Sequence, residues 1–141
     1  MNQWSETSRR RLETCHPDLQ LLANTVLPLH DCKVITGHRN EEEQNRMYDL
    51  GRSRLRWPDG KHNAWPSNAI DLAPYRPGDD PWDYEYSLYF AGFVLGVADV
   101  LHQQGHMIHK VRWGGNWSTD RDYRSFKDVS FYDGLHFEIV T

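Results

Sequence analysis

The sequence predicts an α+β fold in which a small β-sheet is flanked by helices. Segments 68–73 and 135–140 alternate apolar and polar side chains, with the period of two that is typical of a strand with one buried face. Segments 17–29 and 83–104 space their apolar residues three or four apart, as a helix with one buried face does. The mixed order of helices and strands along the chain indicates the α+β class.

The first part of the chain is predicted to form two helices that serve as scaffold. Ser5 is a suitable N-cap for a helix that reaches about Cys15, and Pro17 stands where a second helix would place its first residue. The apolar residues of this second helix are expected to pack inward. They are Leu19, Leu22, Val26 and Leu29.

A strand over 32–37 is predicted to lead into a third helix. Asn40 is a good N-cap for this helix, and Gly51 is a good residue to end it. Arg39 lies at the junction between strand and helix. Its guanidinium could clamp a substrate carboxylate, or it could form a surface ion pair with one of the glutamates that follow. Residues 52–67 are polar and aperiodic, and they are predicted to form a loop over the site.

The strand at 68–73 is predicted to direct Asp71 away from its apolar neighbours. Ile70 and Leu72 share one face and Asp71 lies on the other. Because aspartate is disfavoured in strands, its presence here indicates a functional reason.

The second half of the chain is predicted to contain the longest helix and two further strands. The helix runs over 83–104 and ends at Gly105, with an apolar stripe that packs inward. Strands are expected over 107–113 and 135–140, separated by a long loop that extends to residue 130. In the last strand His136 and Glu138 share the face opposite the aliphatic and aromatic residues.

Size and composition exclude several classes of protein. A chain of 141 residues is expected to fold as one domain over 1–141. A net charge of −4 without a basic stripe argues against nucleic-acid binding. Cys15 and Cys32 lack a CxxC spacing and are expected to be free thiols in a reducing compartment. No segment resembles a signal peptide or a membrane span, so we expect a protein made in the cytoplasm without membrane insertion.

Three residues from separate segments are candidate ligands for a catalytic zinc ion. If the two strands are neighbours in one sheet, Asp71 and His136 can meet on its polar face, and the adjoining loop supplies His62. A zinc ion with an open fourth position lowers the pKa of bound water to about 7. Asp133 or Glu138 could accept the water proton, and Asp133 is favoured because it precedes the strand and can reach over the metal.

The sequence offers one competing zinc arrangement and excludes another. His106 and His109 offer a competing ligand pair, although three residues apart on a strand they would point to opposite faces. The sequence contains no HExxH motif, which excludes the helical zinc-protease arrangement.

Four motifs in order resemble the M15 family of zinc peptidases. They are ITGHRNEEEQNRMY, SNAIDLAP preceded by KH, RWGGNW and YDGLHFEI. The closest resemblance is to short phage endolysins that act as L-alanyl-D-glutamate peptidases, with a more distant one to D-Ala-D-Ala carboxypeptidases and dipeptidases. The resemblance implies an antiparallel sheet with flanking helices, shared with the hedgehog signalling domain and the DD-peptidases.

The same resemblance implies roles for individual residues. It assigns the zinc ligands to His62, Asp71 and His136, the catalytic base to Asp133, and substrate binding to Arg39 and Gln44. It also implies a phage lysis enzyme, monomeric, made in the host cytoplasm and acting on the peptidoglycan stem peptide after release.

One feature departs from the family pattern. The family places six residues between its histidine and aspartate, whereas eight separate His62 from Asp71, and Ser67 stands where the family has glycine. We expect the two extra residues to bulge outward at 64–66. The alternatives to an endolysin are a D-alanyl-D-alanine peptidase, an inactive peptidoglycan-binding or tail module of this fold, and a hedgehog-like signalling ligand, which would require secretion.

Overall fold

The computed structural model describes residues 1–125 and 131–141. Within these ranges the chain forms four α-helices, one 3-10 helix at Lys61–Asn63 and four strands. The helices and strands are α1 (Glu6–Leu12), α2 (Pro17–Val26), β1 (Cys32–Thr36), α3 (Glu41–Asp49), β2 (Ala69–Pro74), α4 (Tyr84–Gln103), β3 (Val111–Gly114) and β4 (Asp133–Ile139). The predicted α+β class is confirmed.

The four strands form one antiparallel sheet with the order β1-β2-β4-β3. The two central strands are β2 and β4, and their register places Asp71 directly opposite His136. Directly opposed residues of neighbouring strands project to the same face of a sheet. The pairing therefore brings together two predicted metal ligands that lie far apart in the sequence.

The hydrophobic core lies between one face of the sheet and the helices α2 and α4. Alternate residues of β2 and β4 enter this core, so the residues between them project to the opposite face. The large side chains that are fully buried in the core include Leu19, Leu22, Val26, Val34, Ile70, Leu72, Phe90, Val94, Phe137 and Ile139. Burial of the apolar face thus determines that Asp71 and His136 appear on the other face.

Local signals define the helix ends as predicted. The Ser5 hydroxyl accepts a hydrogen bond from Ser8 N at 3.1 Å, which caps α1. The Asn40 side chain accepts one from Glu43 N at 2.9 Å, which caps α3. Beyond α3, Gly51 has a φ of 75°, a left-handed conformation that favours glycine and lets the chain leave the helix.

Helix α1 covers the outer edge of β1. The Ser8 hydroxyl accepts a hydrogen bond from Val34 N at 3.0 Å, and the Arg11 guanidinium donates one to Val34 O at 3.1 Å. These contacts satisfy backbone groups that an edge strand leaves unpaired.

Three of the predicted boundaries are wrong. Helix α1 ends at Leu12 rather than at about Cys15. The third strand begins at Val111 rather than 107, because Asp18 Oδ2 accepts hydrogen bonds from Ile108 N and His109 N and so withdraws these groups from strand pairing. Leu29 does not belong to the inward face, since α2 ends at Val26 and the Leu29 side chain is 62% exposed. Of the predicted loop over 114–130, residues 126–130 lie outside the described residues.

Both cysteines are free and buried in the core. Burial raises the pKa of each thiol to about 12. Among the described residues, no helix combines the length and the apolar character needed to cross a bilayer.

Candidate metal centre

His62, Asp71 and His136 meet at one point on the polar face of the sheet. His62 comes from the 3-10 helix, Asp71 from β2 and His136 from β4. Asp71 Oδ1 lies 3.3 Å from His62 Nε2 and 3.4 Å from His136 Nδ1. In a tetrahedral zinc site with bonds of about 2.0–2.2 Å, the ligand atoms lie roughly 3.3–3.6 Å apart. The spacing of the three side chains therefore suits a single ion.

In each imidazole, the nitrogen that points away from Asp71 makes a hydrogen bond. This bond determines that, in the neutral ring, the other nitrogen faces Asp71 with a lone pair. His62 Nδ1 lies 2.7 Å from Gly37 O, and a carbonyl only accepts hydrogen bonds, so the proton resides on Nδ1. His136 Nε2 lies 2.7 Å from Glu138 Oε1, so the proton of the neutral ring resides on Nε2. Hydrogen bonds of this kind orient metal-binding histidines and raise their basicity.

Two of the converging atoms lack a hydrogen-bond partner. Among the described residues, His62 Nε2 and Asp71 Oδ1 are buried polar atoms without one. A buried polar group left in this state costs about 1–3 kcal/mol. A cation between the three side chains would satisfy these atoms, so the residues fit a metal ion.

The loop between His62 and Asp71 accommodates the longer spacing as expected. Asn68 N donates a hydrogen bond to Lys61 O at 3.0 Å, which closes the loop at its base. Residues 64–66 bulge outward, and the Trp65 side chain is 70% exposed. Ser67 is buried and its N–H donates to Thr14 O at 2.8 Å, which anchors the loop to the turn after α1.

Gly37 is a functional residue that the sequence analysis missed. Its carbonyl oxygen accepts the His62 Nδ1 hydrogen bond. A Cβ atom at this position would meet Arg11 O and the Thr14 hydroxyl. Only glycine therefore lets the chain at position 37 lie this close to α1 and the turn that follows it. The signal in the sequence is the glycine at the end of the first predicted strand.

The titratable side chains of the site shift the pKa values of one another. Burial raises the pKa of Asp71, but His62 and His136 outweigh burial and hold that pKa well below its usual value. Burial lowers the pKa of His136, but its contacts with Asp71 and Glu138 raise it to about 10. The carboxylate of Asp71 thus favours a positive charge on the groups that face it.

Asp133 lies beside the ligands at the first residue of β4. Its Oδ2 is 3.8 Å from His136 Nδ1. Burial, together with the charge of Asp71, raises the pKa of the Asp133 carboxyl above its usual value. A Cβ atom at Gly114 would meet the Asp133 carbonyl, so the second missed residue is the glycine that lets β3 approach Asp133.

Glu138, the other candidate base, already has partners for both carboxylate oxygens. Oε1 contacts His136, and Oε2 accepts a hydrogen bond from Arg112 Nη2 at 2.6 Å. Burial raises the pKa of Glu138, but these two contacts outweigh it and lower the pKa to about 2. Glu138 therefore orients His136. Of the two candidate bases, Asp133 is the one whose carboxylate oxygens are not both engaged in this way.

Arg39 and Gln44 lie side by side next to the ligands. Arg39 Nη2 is 3.4 Å from Asp71 Oδ2, and Arg39 Nη1 donates a hydrogen bond to Gln44 Oε1 at 3.2 Å. Gln44 is only 1% exposed, and its amide nitrogen donates to Ser53 Oγ at 3.0 Å and to Leu55 O at 2.6 Å. Gln44 is thus placed to hold Arg39 and the 53–55 loop in position.

A second group of metal-binding side chains consists of His16, Asp18 and His109. Here His16 Nδ1, Asp18 Oδ2 and His109 Nδ1 already have protein partners. His16 Nδ1 accepts a hydrogen bond from Asp18 N at 3.0 Å, and Asp18 Oδ2 accepts from His109 Nδ1 and from two backbone N–H groups. We therefore interpret this group as a structural contact between α2 and the segment before β3.

Replacing Asp18 with alanine is expected to lower the free energy of unfolding by about 2–3 kcal/mol, because the donors that it satisfies lose their acceptor. Urea denaturation at pH 7 measures this loss. An Asp59→Ala variant, which removes an exposed carboxylate, should change the free energy by less than about 0.5 kcal/mol. Equal effects of the two substitutions would contradict the structural role of Asp18.

The contribution of Asp18 should also depend on pH. Burial raises the pKa of Asp18, but hydrogen bonds from His109 and Ile108 outweigh it, so that pKa is below its usual value. A group with a lowered folded-state pKa stabilises the protein above its unfolded-state pKa, about 3.9 for aspartate. The difference between wild type and Asp18→Ala should therefore shrink as the pH falls from 5 through the folded-state pKa.

The fold and the site together define a class of protein. Asp71 and His136 on the antiparallel sheet and His62 on the 3-10 helix converge on a common point, with the carboxylate of Asp133 and the guanidinium of Arg39 beside them. This is the arrangement expected of a hydrolase with a single metal ion.

Comparison with known proteins narrows this class to a family. The family model described as phage L-alanyl-D-glutamate peptidase matches residues 1–140, and the chain belongs to this family. The L-alanyl-D-glutamate peptidase of Escherichia phage T5 is 29% identical in an alignment of 140 residues, and the match covers 97% of each chain. The predicted family resemblance and the prediction of a peptidase are confirmed.

A solved structure shares the fold. The L-Ala D-Glu endopeptidase ChiX of Serratia marcescens superposes with a TM-score of 0.70 at 24% sequence identity. The match covers 97% of this chain and 89% of that one.

Proposed function

We propose that this peptidase hydrolyses the L-alanyl–D-glutamate bond of the peptidoglycan stem peptide with a zinc ion, as a phage endolysin that opens the host cell wall. It would act as a monomer and as one domain over residues 1–141. The observation that carries the proposal is the pairing of Asp71 with His136 across β2 and β4, with His62 completing the group.

The ligand set favours zinc over the alkaline-earth ions. His62 and His136 would bind through imidazole nitrogen and Asp71 through Oδ1, whereas calcium and magnesium prefer oxygen ligands alone. When bound, zinc would supply Lewis acidity and lower the pKa of a water ligand to about 7. Because its ligands would be two neutral histidines and one carboxylate, the site with zinc bound would keep a net positive charge.

Asp133 would carry the protons of the reaction. Its carboxylate takes a proton from the attacking water as the oxygen adds to the alanyl carbonyl. It then returns this proton to the glutamyl nitrogen as the C–N bond breaks, so that the amine leaves in a neutral form. Asp133 can serve both steps because its pKa is raised and its Oδ2 lies beside His136.

Arg39 would bind the substrate next to the reacting bond. Its guanidinium is held by Asp71 and Gln44, so its position is set before substrate arrives. A preorganised donor of this kind stabilises the negative charge that develops on a carbonyl oxygen during hydrolysis.

Digestion of purified peptidoglycan, followed by mass analysis of the fragments, tests the proposal. The expected products are glycan strands that keep only L-alanine from each cleaved stem, and stem peptides that begin with D-glutamate. Release of free D-alanine instead would identify a D-alanyl-D-alanine carboxypeptidase. The absence of any cleavage by the zinc-loaded protein would favour an inactive wall-binding module.

A further inference from the structure

The cleft at the candidate metal centre contains cations as well as two acids, Asp133 and Glu138. Its volume is about 70 Å³, and His62, His136 and Asp133 line it together with the loop after α3. Three cationic side chains also line the cleft. They are Arg39, Arg52 and Lys61.

The substrate of the proposed function brings a negative charge into this cleft. The nitrogen of the glutamyl residue forms the scissile bond, and one of its two carboxyl groups carries the rest of the stem peptide. The other carboxylate stays free whichever of the two is used. Because Asp133 and Glu138 also line the cleft, a cation on the leaving-group side of the site would favour the binding of this carboxylate.

Two of the three cations already have protein partners. Arg39 contacts Asp71 and Gln44, and Lys61 Nζ donates a hydrogen bond to Thr141 Oγ1 at 3.2 Å. Arg52 is exposed, and its guanidinium forms no hydrogen bond or ion pair within the described part of the chain. Its five donors are therefore free to bind a carboxylate with two parallel hydrogen bonds.

The backbone that carries Arg52 is well supported. Met47 O accepts hydrogen bonds from Arg52 N at 2.9 Å and from Ser53 N at 3.2 Å. The buried Gln44 holds Ser53 Oγ and Leu55 O from below. This support fixes the backbone position from which the Arg52 side chain reaches the cleft.

We propose that Arg52 is a specificity-determining residue that binds the free carboxylate of the glutamyl residue on the leaving side of the scissile bond. The inference rests on the proposed function and deepens it. Arg52 makes the peptidase selective for acidic stem peptides over stem peptides in which this carboxylate is amidated.

A second cationic groove lies on the other side of Arg39 and offers an alternative position for the carboxylate. Arg11, His38 and Arg46 line it. Arg11 is engaged with Val34 O at 3.1 Å, and Arg46 lies 4.0 Å from Glu42. None of the three lines the cleft that holds the metal ligands. Because Arg11 and Arg46 have protein partners and the three residues lie outside the metal cleft, Arg52 is favoured as the carboxylate-binding residue.

The test compares two synthetic stem peptides that differ only in the glutamyl group, a free carboxylate in one and a carboxamide in the other. The zinc-loaded full chain should cleave the acidic peptide with a kcat/KM about tenfold higher. In Arg52→Gln the ratio between the peptides should fall to near one, mainly through KM for the acidic peptide. Arg52→Lys should keep part of the selectivity, because it keeps the charge without the planar fork.

Two matched variants control for the loss of a positive charge. Arg56→Gln removes an exposed arginine of the same loop that pairs with Asp49 and stacks on Tyr48, and it should keep the wild-type ratio. Arg46→Gln tests the second groove and should also keep it.

The remaining outcomes contradict either the role of Arg52 or the proposed function. The inference is overturned if Arg52→Gln keeps the wild-type ratio, if Arg46→Gln loses it instead, or if the wild-type protein cleaves both peptides equally. If the wild-type protein cleaves neither peptide, the proposed function itself fails and the inference falls with it.

Discussion

An Asp133→Asn variant is expected to hydrolyse the L-alanyl–D-glutamate bond about 10²–10⁴-fold more slowly than the wild-type protein, the usual loss when a general base is removed. The amide has nearly the same shape as the carboxylate but cannot take the proton of the attacking water. Since Asp133 is not one of the three converging ligands, zinc content should remain near one ion per chain. Steady-state kcat and metal analysis of the same preparation measure both quantities.

The control for this experiment is Asp59→Asn, which changes an exposed carboxylate elsewhere in the chain and should leave kcat unchanged. The circular dichroism spectra of both variants should match that of the parent. A folded, zinc-containing Asp133→Asn protein with the kcat of the parent would remove Asp133 from its assigned role.

Zinc is expected to raise the thermal unfolding midpoint of the wild-type protein and to leave that of His136→Ala nearly unchanged. A ligand present at a hundredfold excess over its Kd stabilises a folded protein by about 2.7 kcal/mol, which corresponds to roughly 5–10 °C for a chain of this size. His136→Ala removes one of three ligands and leaves Asp71 with a single histidine. The same variant should lose hydrolysis of the L-alanyl–D-glutamate bond. Differential scanning calorimetry with and without zinc measures the shift.

His106→Ala is the matched control, because it removes an exposed imidazole from the competing pair considered on the sequence. Its zinc-induced shift should equal that of the wild-type protein. A shift that persists in His136→Ala and disappears in His106→Ala would move the metal to the competing pair and refute the assigned centre.

The helices and the direction of the strand side chains could be predicted from the sequence because both depend on neighbouring residues. The caps at Ser5 and Asn40 and the glycine at position 51 act through bonds and dihedral angles within one turn. The alternation around Asp71 and His136 likewise shows which side of a strand is apolar. Three of the residues assigned from motifs, His62, Asp71 and His136, do converge.

The contacts that depend on distant segments could not be predicted in this way. Asp18 withdraws the backbone at 108 and 109 from the third strand, although no local pattern near 107 shows this. Gln44 was predicted from the family resemblance to hold substrate, and the structure adds that it is buried and bonded to Arg39 and the 53–55 loop.

The sequence by itself determined which residues are available as ligands and on which face of each strand they lie, since a period of two is a local property of the backbone. Only the tertiary structure decided that β2 and β4 are neighbours in a register that sets Asp71 opposite His136. It also decided that Gly37 and Glu138 orient the two imidazoles. The physical reason is that strand order and register follow from how α2 and α4 bury the apolar face of the whole sheet, which no single segment encodes.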